Sequence, residues 1–135
     1  MISSSNETRA SLIILSEALN GQQIADRLGV QPTKIILKGT PTDQTDFPEN
    51  PINMAMFASG VRVEEHLELH IERLLALYEQ RKDALEELLQ NCRLVIHCSY
   101  LVQQQGGWTI SPELCRRMAS VPIEFVFNVE PLKSP

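Results

Sequence analysis

The chain has 135 residues, and hydrophobic residues make up 43% of them, enough for one folded domain that needs no disulfide bonds. Its net charge of −5 argues against non-specific binding to nucleic acid or to an anionic membrane. No apolar run approaches the roughly 20 residues of a membrane span, and residues 1–9 lack the apolar core of a signal peptide. With an odd number of cysteines, these features predict a cytoplasmic protein that binds no nucleic acid and no membrane.

The start of the chain predicts a strand, a helix and a second strand. Residues 10–16 hold four consecutive large apolar side chains, which is typical of a strand buried on both faces. A short helix follows, with Asn20 as its N-cap and Gly29 as the left-handed residue at its end. Pro32 excludes a longer helix, and residues 33–38 predict the second strand.

The next segment predicts a loop and a third strand. Residues 39–51 contain three of the eight prolines and no aliphatic residue, so we expect an exposed connection. Residues 52–59 alternate large and small side chains, as a strand does.

Residues 61–91 give the clearest periodic signal, with apolar side chains at three- and four-residue steps. They predict one long amphipathic helix or two helices in tandem, and the polar stretch 79–83 marks the place for a bend or break. Eight acidic and four basic residues between 62 and 89 place −4 of the net charge of −5 in this segment. The negative charge is therefore expected on the solvent face of the helix.

The last third predicts a strand, a hairpin turn, a helix and a final strand. Residues 92–102 alternate so that Cys98 faces the core, and residues 103–107 predict a turn. Residues 108–110 are then expected to return as a short strand.

A short helix is predicted next, capped by Ser111 with Pro112 in its first turn. Its apolar side is expected to include Leu114 and Cys115. Residues 123–129 alternate again and predict the last strand.

Strand, helix and strand thus occur in the same order at both ends of the chain, which suggests an internal duplication. We predict an α+β protein with a single mixed, mostly antiparallel sheet of four to six strands, helices packed on one face, and a relation to the ferredoxin-like arrangement. Residues 1–135 are expected to form one domain, with a flexible N-terminus over residues 1–9 and a C-terminal tail over residues 130–135.

Several local patterns resemble the bacterial domain-of-unknown-function family numbered 4279. They are the step from Gly29 to Pro32, the adjacent Lys38 and Gly39, an acidic helix opening at Glu64, and a helix start of Ser, Pro and Glu that follows two glycines near residue 107. The resemblance covers nearly the whole chain. It implies an α+β fold without an established activity, and some members of that family resemble immunity proteins encoded beside bacterial toxins.

Two histidines are the only candidates for a metal site. His66 and His70 are four residues apart, which on a helix places two imidazoles on one side. Zinc normally needs three or four ligands, and no cysteine or aspartate is close in sequence, so further ligands would have to come from Glu68 or, through the fold, from His97. His70 also lies in the apolar arc, which favours a buried structural histidine. We therefore predict no metal and no other cofactor.

Catalytic patterns are absent from the sequence. There is no GxSxG elbow and no recognisable Cys–His signature, and Cys98 and Cys115 lie on predicted core faces. Cys92 is the one thiol that we expect to be exposed. Neighbouring carboxylates such as Glu64 and Glu65 occur on a solvated helix, without the burial that would raise a pKa. No catalytic residue is assigned, and an enzyme is the less favoured interpretation.

Two regions are candidates for binding. Trp108, the single tryptophan, follows three glutamines at the predicted hairpin tip and could grip a ligand, although packing against the adjacent helix competes with this interpretation. His97 shares the outward face of the sheet with Val95, Leu101 and Val126, which is more apolar than a wetted face requires. That face or an edge strand is expected to form a homodimer.

The acidic helix is the third candidate, through Glu65, Glu68 and Glu72. Opposite charge accelerates encounter, so any macromolecular partner is expected to be a basic protein. The favoured interpretation is a small non-enzymatic protein-interaction module, with an immunity-type role as one option. The alternative is an enzyme or small-ligand-binding protein with a pocket between the sheet and residues 39–51.

Overall fold

The structure is a computed structural model that describes residues 6–42, 49–103 and 105–131. These residues form five strands and four helices that share one sheet and one hydrophobic core. In chain order the elements are β1 (Glu7–Ser16), α1 (Gly21–Leu28), β2 (Lys34–Ile36), β3 (Asn53–Ala58), α2 (Leu67–Gln80), α3 (Lys82–Leu88), β4 (Cys92–Val102), α4 (Pro112–Ala119) and β5 (Glu124–Pro131).

The strands lie in the order β2-β3-β1-β4-β5. Strand β1 is antiparallel to β3 and β4, β2 is antiparallel to β3, and β5 is parallel to β4. The elements from β1 to β4 follow the β-α-β-β-α-β order of the ferredoxin-like arrangement, with α2 and α3 in the place of the second helix. Helix α4 and strand β5 extend this unit at one edge. The predicted α+β class and its ferredoxin-like relation are confirmed.

The two similar ends of the chain occupy different positions in the sheet. Strand β3 lies between β1 and β2, so the first strand–helix–strand unit is split. Strands β4 and β5 are direct neighbours, so the last unit is not split. The likeness between the ends therefore extends to the order of their elements and not to their strand pairing.

The core lies between one face of the sheet and the helices. Register places Leu12 opposite both Phe57 and Ile96, so these buried side chains share a face. Helix α2 covers that face and buries Ile71 and Leu74. The prediction that the first strand is buried on both faces is wrong. Its alternate side chains, such as that of Ile13, are only half-buried because the helices cover one side.

The predicted caps of α1 are confirmed. The Asn20 side chain accepts a hydrogen bond from the Gln23 N–H at 2.9 Å, and Gly29 has a φ of 74°. The start of α1 packs closely on β2, because a Cβ at Gly21 would lie 2.5 Å from Cγ2 of Ile35. Only a glycine allows this approach without displacement of that side chain.

The long acidic segment forms two helices, and the predicted break is confirmed at Arg81, between α2 and α3. The predicted start is wrong. Residues 61–66 are irregular, and α2 begins at Leu67 with His66 as the residue before it. Apolar spacing could not show this, because the preceding turn is held by tertiary hydrogen bonds of His70.

The predicted hairpin after β4 is also wrong. Residues 105–110 form no strand, and β5 occupies the place beside β4. Trp108 and Ile110 instead pack against the core, which uses their apolar side chains without pairing their backbone. The helix start is confirmed, since Oγ of Ser111 accepts a hydrogen bond from the Leu114 N–H at 3.1 Å.

Three predicted segments lie partly outside the described residues: the flexible start over 1–9, the loop over 39–51 and the tail over 130–135. Strand β1 already begins at Glu7. The described ends of the loop meet, because the Asn50 N–H donates to the Thr40 carbonyl at 2.8 Å. Among the described helices, none combines the length and apolar character that crossing a membrane requires.

A candidate binding cavity at the start of α2

A cavity of about 410 Å³ lies where the start of α2 faces the loop after β4. Residues 64–68 form one side and residues 107–109 the other. The side chains of Asn6, Thr8 and Tyr100 close it at the ends of β1 and β4. Register brings Thr8 opposite Tyr100, so the pairing of these two strands places both residues at the cavity.

Aromatic rings form one wall of the cavity. The ring centroids of Tyr100 and Trp108 are 5.2 Å apart, and those of Trp108 and Phe127 are 5.6 Å apart. Nε1 of Trp108 is buried and has no hydrogen-bond partner among the described residues. A buried donor without a partner costs about 1–3 kcal/mol and is an exception in folded proteins. A small shift of the indole towards a bound acceptor would recover that energy.

The hydroxyl of Tyr100 is fixed at the cavity by Asn6. Nδ2 of Asn6 donates to this hydroxyl at 3.1 Å, and Oδ1 of Asn6 accepts from the Gln103 N–H at 2.7 Å. The loop after β4 approaches closely here, because a Cβ at Gly106 would lie 2.5 Å from both the Tyr100 hydroxyl and Nδ2 of Asn6. The glycine thus permits the contact that closes this end of the cavity.

Carboxylates form the opposite wall. Oε2 of Glu68 accepts a hydrogen bond from the Ser111 N–H at 2.6 Å, which joins α2 to the start of α4. Glu64 pairs with Arg62 at 2.9 Å, and this hydrogen bond lowers the pKa of Glu64. Glu65 is exposed and has no ion pair within the described part of the chain. No described lining residue is a lysine or an arginine, so the cavity is negatively charged.

The segment before α2 is held by His70, whose side chain is 1% exposed. Nε2 of His70 lies 3.1 Å from the Arg62 carbonyl, which can only accept, so Nε2 carries the proton. Nδ1 then accepts from the Ser59 hydroxyl at 2.8 Å. Burial lowers the pKa of His70 and favours this neutral form. These two hydrogen bonds of His70, which we call the His70 bracket, hold residues 61–66 beside the cavity.

This bracket also explains why the two histidines do not form the considered metal pair. His66 lies before the first turn of α2, so the spacing of four residues does not place the two rings side by side on a helix. Both ring nitrogens of His70 are already hydrogen-bonded. The described residues contain no group of three or more metal-ligating side chains. His70 is a buried structural residue, as its place in the apolar arc predicts.

Ser59 and His70 do not form a nucleophile and base. Both side chains are buried, and the second nitrogen of His70 meets a carbonyl instead of a carboxylate. The Ser59 oxygen also accepts from the Val61 N–H at 3.2 Å, which ties it to the turn. Their hydrogen bonds are used for structure.

The cysteine predictions are partly wrong. Cys98 is fully buried, and burial raises its pKa to about 12, which suits an inert core residue. Cys92, predicted to be exposed, is buried, and burial raises its pKa. Cys115, predicted to face the core, is exposed, since Leu114 alone is buried on α4. The short helix is too shallowly docked for a second residue to reach the core.

The structure brings together only some of the predicted binding residues. Glu65, Glu68 and Trp108 line the cavity, and so does His66. The others lie apart: Glu72 is exposed one turn further along α2, and His97 points to the opposite face of the sheet.

Sequence reasoning missed Asn6, Thr8 and Tyr100 as cavity residues. Alternation predicts Tyr100 only as a core residue, and the pairing of β1 with β4 is needed to place it beside Thr8. The alternative pocket, between the sheet and residues 39–51, is a different place, because none of the residues described in that segment, 39–42 and 49–51, lines this cavity.

Fold and cavity together define an α+β protein with a ferredoxin-like sheet order, an added parallel edge strand and an acidic cavity walled by aromatic rings. A family model described as Domain of unknown function (DUF4279) matches residues 6–132, nearly the whole chain. The chain belongs to the DUF4279 family, which confirms the resemblance in its sequence. Comparisons with curated proteins and with solved structures gave no match.

Proposed function

We propose that the chain is a non-enzymatic protein-interaction module that binds a basic segment of a partner protein. A lysine or arginine side chain of that partner enters the cavity at the start of α2. The observation that carries the proposal is the meeting of two aromatic rings and three carboxylates around one cavity whose described lining has no lysine and no arginine. A cationic group is the chemistry that satisfies both walls.

The aromatic wall supplies the first attraction. A cation over the face of tryptophan or tyrosine, within about 6 Å of the ring centroid, gains about 0.5–2 kcal/mol according to its desolvation. Trp108 and Tyr100 offer two tilted rings on the same side of the cavity. Arginine can also stack its planar guanidinium on such a ring, which lysine cannot do.

The acidic wall supplies the second attraction. Glu68 is already occupied by the Ser111 N–H and Glu64 by Arg62, so Glu65 is the carboxylate with most freedom to accept from the ligand. Charge-assisted hydrogen bonds are about twice as strong as neutral ones. Glu65 therefore contributes directly, whereas Glu64 and Glu68 contribute mainly through the potential of the site.

The surrounding surface suits a basic partner. Glu72 is exposed on α2 beyond the cavity, and the segment between residues 62 and 89 carries most of the net negative charge. Such a field steers a basic partner and raises its association rate at low salt. A basic toxin bound by an immunity protein would be one partner of this kind.

A free small cation is the second candidate occupant. Nε1 of Trp108, which has no partner in the described part of the chain, favours it, because a buried donor beside a cavity suits a ligand that carries an acceptor as well as a charge. The volume of about 410 Å³ falls within the range of roughly 300–1,000 Å³ for small-molecule sites. This candidate corresponds to the small-ligand-binding alternative from the sequence, but its site is the cavity at the start of α2 and not a pocket beside residues 39–51.

The test uses the single tryptophan, whose fluorescence reports on the cavity directly. Hexalysine and hexaarginine amides are titrated against the protein, with hexaglutamate as the charge-reversed control. A saturable change in Trp108 fluorescence is expected with the basic peptides alone. Removing the charge with Glu65→Gln should raise the dissociation constant about two- to fivefold, while Glu72→Gln, on the same helix outside the cavity, should change it less.

Three outcomes decide the question. No fluorescence change with either basic peptide, or equal effects of Glu65→Gln and Glu72→Gln, would reject the cavity as the site for a basic segment. A butylammonium ion that binds as tightly as the peptides would instead favour the free small cation.

A further inference from the structure

The two edges of the sheet are protected very differently. Strand β2 has three residues, follows Pro32 and carries Lys34, which are all features that discourage pairing with another chain. Strand β5 has eight residues without a lysine or an arginine. Within the described part of the chain, its backbone pairs only with β4. The outer N–H and C=O groups of β5 are therefore available to another strand.

The side chains of β5 make this edge attractive to a partner. Of the five large apolar side chains that are exposed in the described residues, three lie on β5: Val126 at 43%, Phe127 at 40% and Val129 at 59%. They lie on both faces of the strand, because Val126 is one residue from Phe127 and three from Val129. Packing against one face of the sheet would leave part of this apolar surface exposed, whereas a strand added at the edge reaches both faces.

We propose that two copies of the chain form a homodimer in which β5 pairs with β5 of the second copy, so that the sheet continues from one copy into the other. The pairing is antiparallel, as a two-fold axis through identical strands requires. This inference rests on the edge strand and is independent of the cavity proposal.

Charge selects the position of the two-fold axis. With Val126 on the axis, Glu124 lies opposite Asn128 of the second copy. With Phe127 on the axis, Glu124 would lie opposite Glu130, and like charges directly opposite each other are destabilising. Glu124 already accepts from Arg93 of its own chain at 3.0 and 3.1 Å, so an uncharged amide is a suitable neighbour.

Apolar pairing selects the same axis. With Val126 on the axis, Phe125 lies opposite Phe127 of the second copy, and Val126 lies opposite Val126. With Phe125 on the axis, Val126 would face Glu124 instead. The register centred on Val126 thus pairs apolar with apolar residues on both faces of the continued sheet.

The open face of the sheet is a weaker candidate for the dimer. Val95, which was expected to be left in water there, is only 7% exposed, and Ile13 and Leu101 are half-buried. The apolar surface that lacks shielding is concentrated on β5.

Sedimentation equilibrium of the full chain at micromolar concentration is the first test, and the expected mass is twice the chain mass of 15.2 kDa. Val126→Lys and Val129→Lys lie on opposite faces of β5, and each should raise the dissociation constant of the dimer at least about tenfold. Leu69→Lys is the matched control, because Leu69 is 39% exposed on α2, and it should leave the mass unchanged. Circular dichroism checks that each variant is folded.

A cysteine at the axis tests the register. In a Cys115→Ser background, Val126→Cys should form an intermolecular disulfide under mild oxidation, because the axis brings its two copies to a distance that a disulfide can span. Asn128→Cys, on the same face but off the axis, should not. Equal cross-linking at the two positions would overturn the register.

Two results would overturn the dimer itself. One is a monomer mass for the unmodified chain at micromolar concentration. The other is dissociation by Met54→Lys, on the open face of β3, together with no effect of Val129→Lys, because that pattern belongs to face-to-face packing.

Discussion

The first and last strand–helix–strand units share an order of elements but are built into the protein to different depths. Helix α1 buries four residues against β2 and β3, and its cap is doubly hydrogen-bonded. Helix α4 buries Leu114 alone, and no residue of β5 is fully buried. The first unit is part of the ferredoxin-like core, whereas the second is attached at its edge. The proposed dimer strand and part of the cavity wall both belong to the shallower region.

The largest effect expected from this difference concerns stability. Ile24→Ala removes a fully buried side chain from α1 and should lower the free energy of unfolding by about 2–5 kcal/mol. Met118→Ala removes a half-buried side chain from α4 and should cost less than half as much. Urea denaturation monitored by circular dichroism measures both. Equal losses would mean that α4 is docked as deeply as α1.

The next effect tests the bracket that joins the core to the cavity. Glutamine carries a donor and an acceptor on one flexible amide, which does not reproduce the arrangement of the two ring nitrogens, so His70→Gln should not keep both the Arg62 and the Ser59 contacts. The free energy of unfolding should therefore fall by about 1–3 kcal/mol. Residues 61–66 should loosen as well, which amide hydrogen exchange would detect as faster exchange there than in α1. Unchanged exchange in that segment would contradict the bracket.

Because His70 is buried, we expect the free energy of unfolding to depend on pH. Burial lowers the pKa of His70 in the folded state below its ordinary value of 6.5. As the pH falls through that value, the unfolded chain takes up a proton that the folded chain does not, so the free energy of unfolding decreases. The stabilising contribution is fully present above 6.5 and is lost below it.

Urea denaturation between about pH 7.5 and 5.5 measures this contribution as a slope. The slope should be shallower in His70→Gln than in the unmodified protein. Identical slopes would show that His70 does not titrate differently in the two states.

An effect of similar size on stability is expected at the cavity. A Cβ at Gly106 would clash with the Tyr100 hydroxyl, so Gly106→Ala should destabilise the fold by about 1–3 kcal/mol and shift Trp108 fluorescence. Gly107→Ala is the matched control, because nothing lies within 4 Å of a Cβ there. A change of less than about 0.5 kcal/mol is expected for it. Similar changes in both variants would mean that the loop does not close on Tyr100.

The sequence predicts best those features of the structure that depend on residues close together in the chain. The caps at Asn20, Gly29 and Ser111 are read from neighbouring residues, and all three are confirmed. Strand β4 is bounded at the predicted residues, because its alternation is long and uninterrupted. Pairing partners are not local, so the same reasoning placed residues 108–110 in a hairpin whose position β5 occupies.

The sequence predicts some residues of the candidate site but not the contacts that bring them together. Glu65, Glu68 and Trp108 carry charge or an aromatic ring in exposed surroundings, and the sequence singles them out. Their meeting depends on the docking of α4 against α2 through Glu68, and Tyr100 joins them through the pairing of β1 with β4. No periodicity in a single sequence contains either contact.

The smallest expected effect on stability concerns the cysteines. Their exposure is the reverse of the sequence prediction for Cys92 and Cys115, because α4 is docked less deeply than the rest of the fold. Cys115 is exposed on α4, while Cys92 and Cys98 are buried on β4 with raised pKa values. A thiol reagent such as dithionitrobenzoate should therefore modify one thiol per folded chain rapidly and the other two only after unfolding. Cys115→Ser should abolish the rapid phase and change the free energy of unfolding by less than about 0.5 kcal/mol. If the rapid phase survives in Cys115→Ser and disappears in Cys92→Ser, the start of β4 opens more readily than α4. That result would contradict the conclusion that α4 and β5 form the less deeply buried unit.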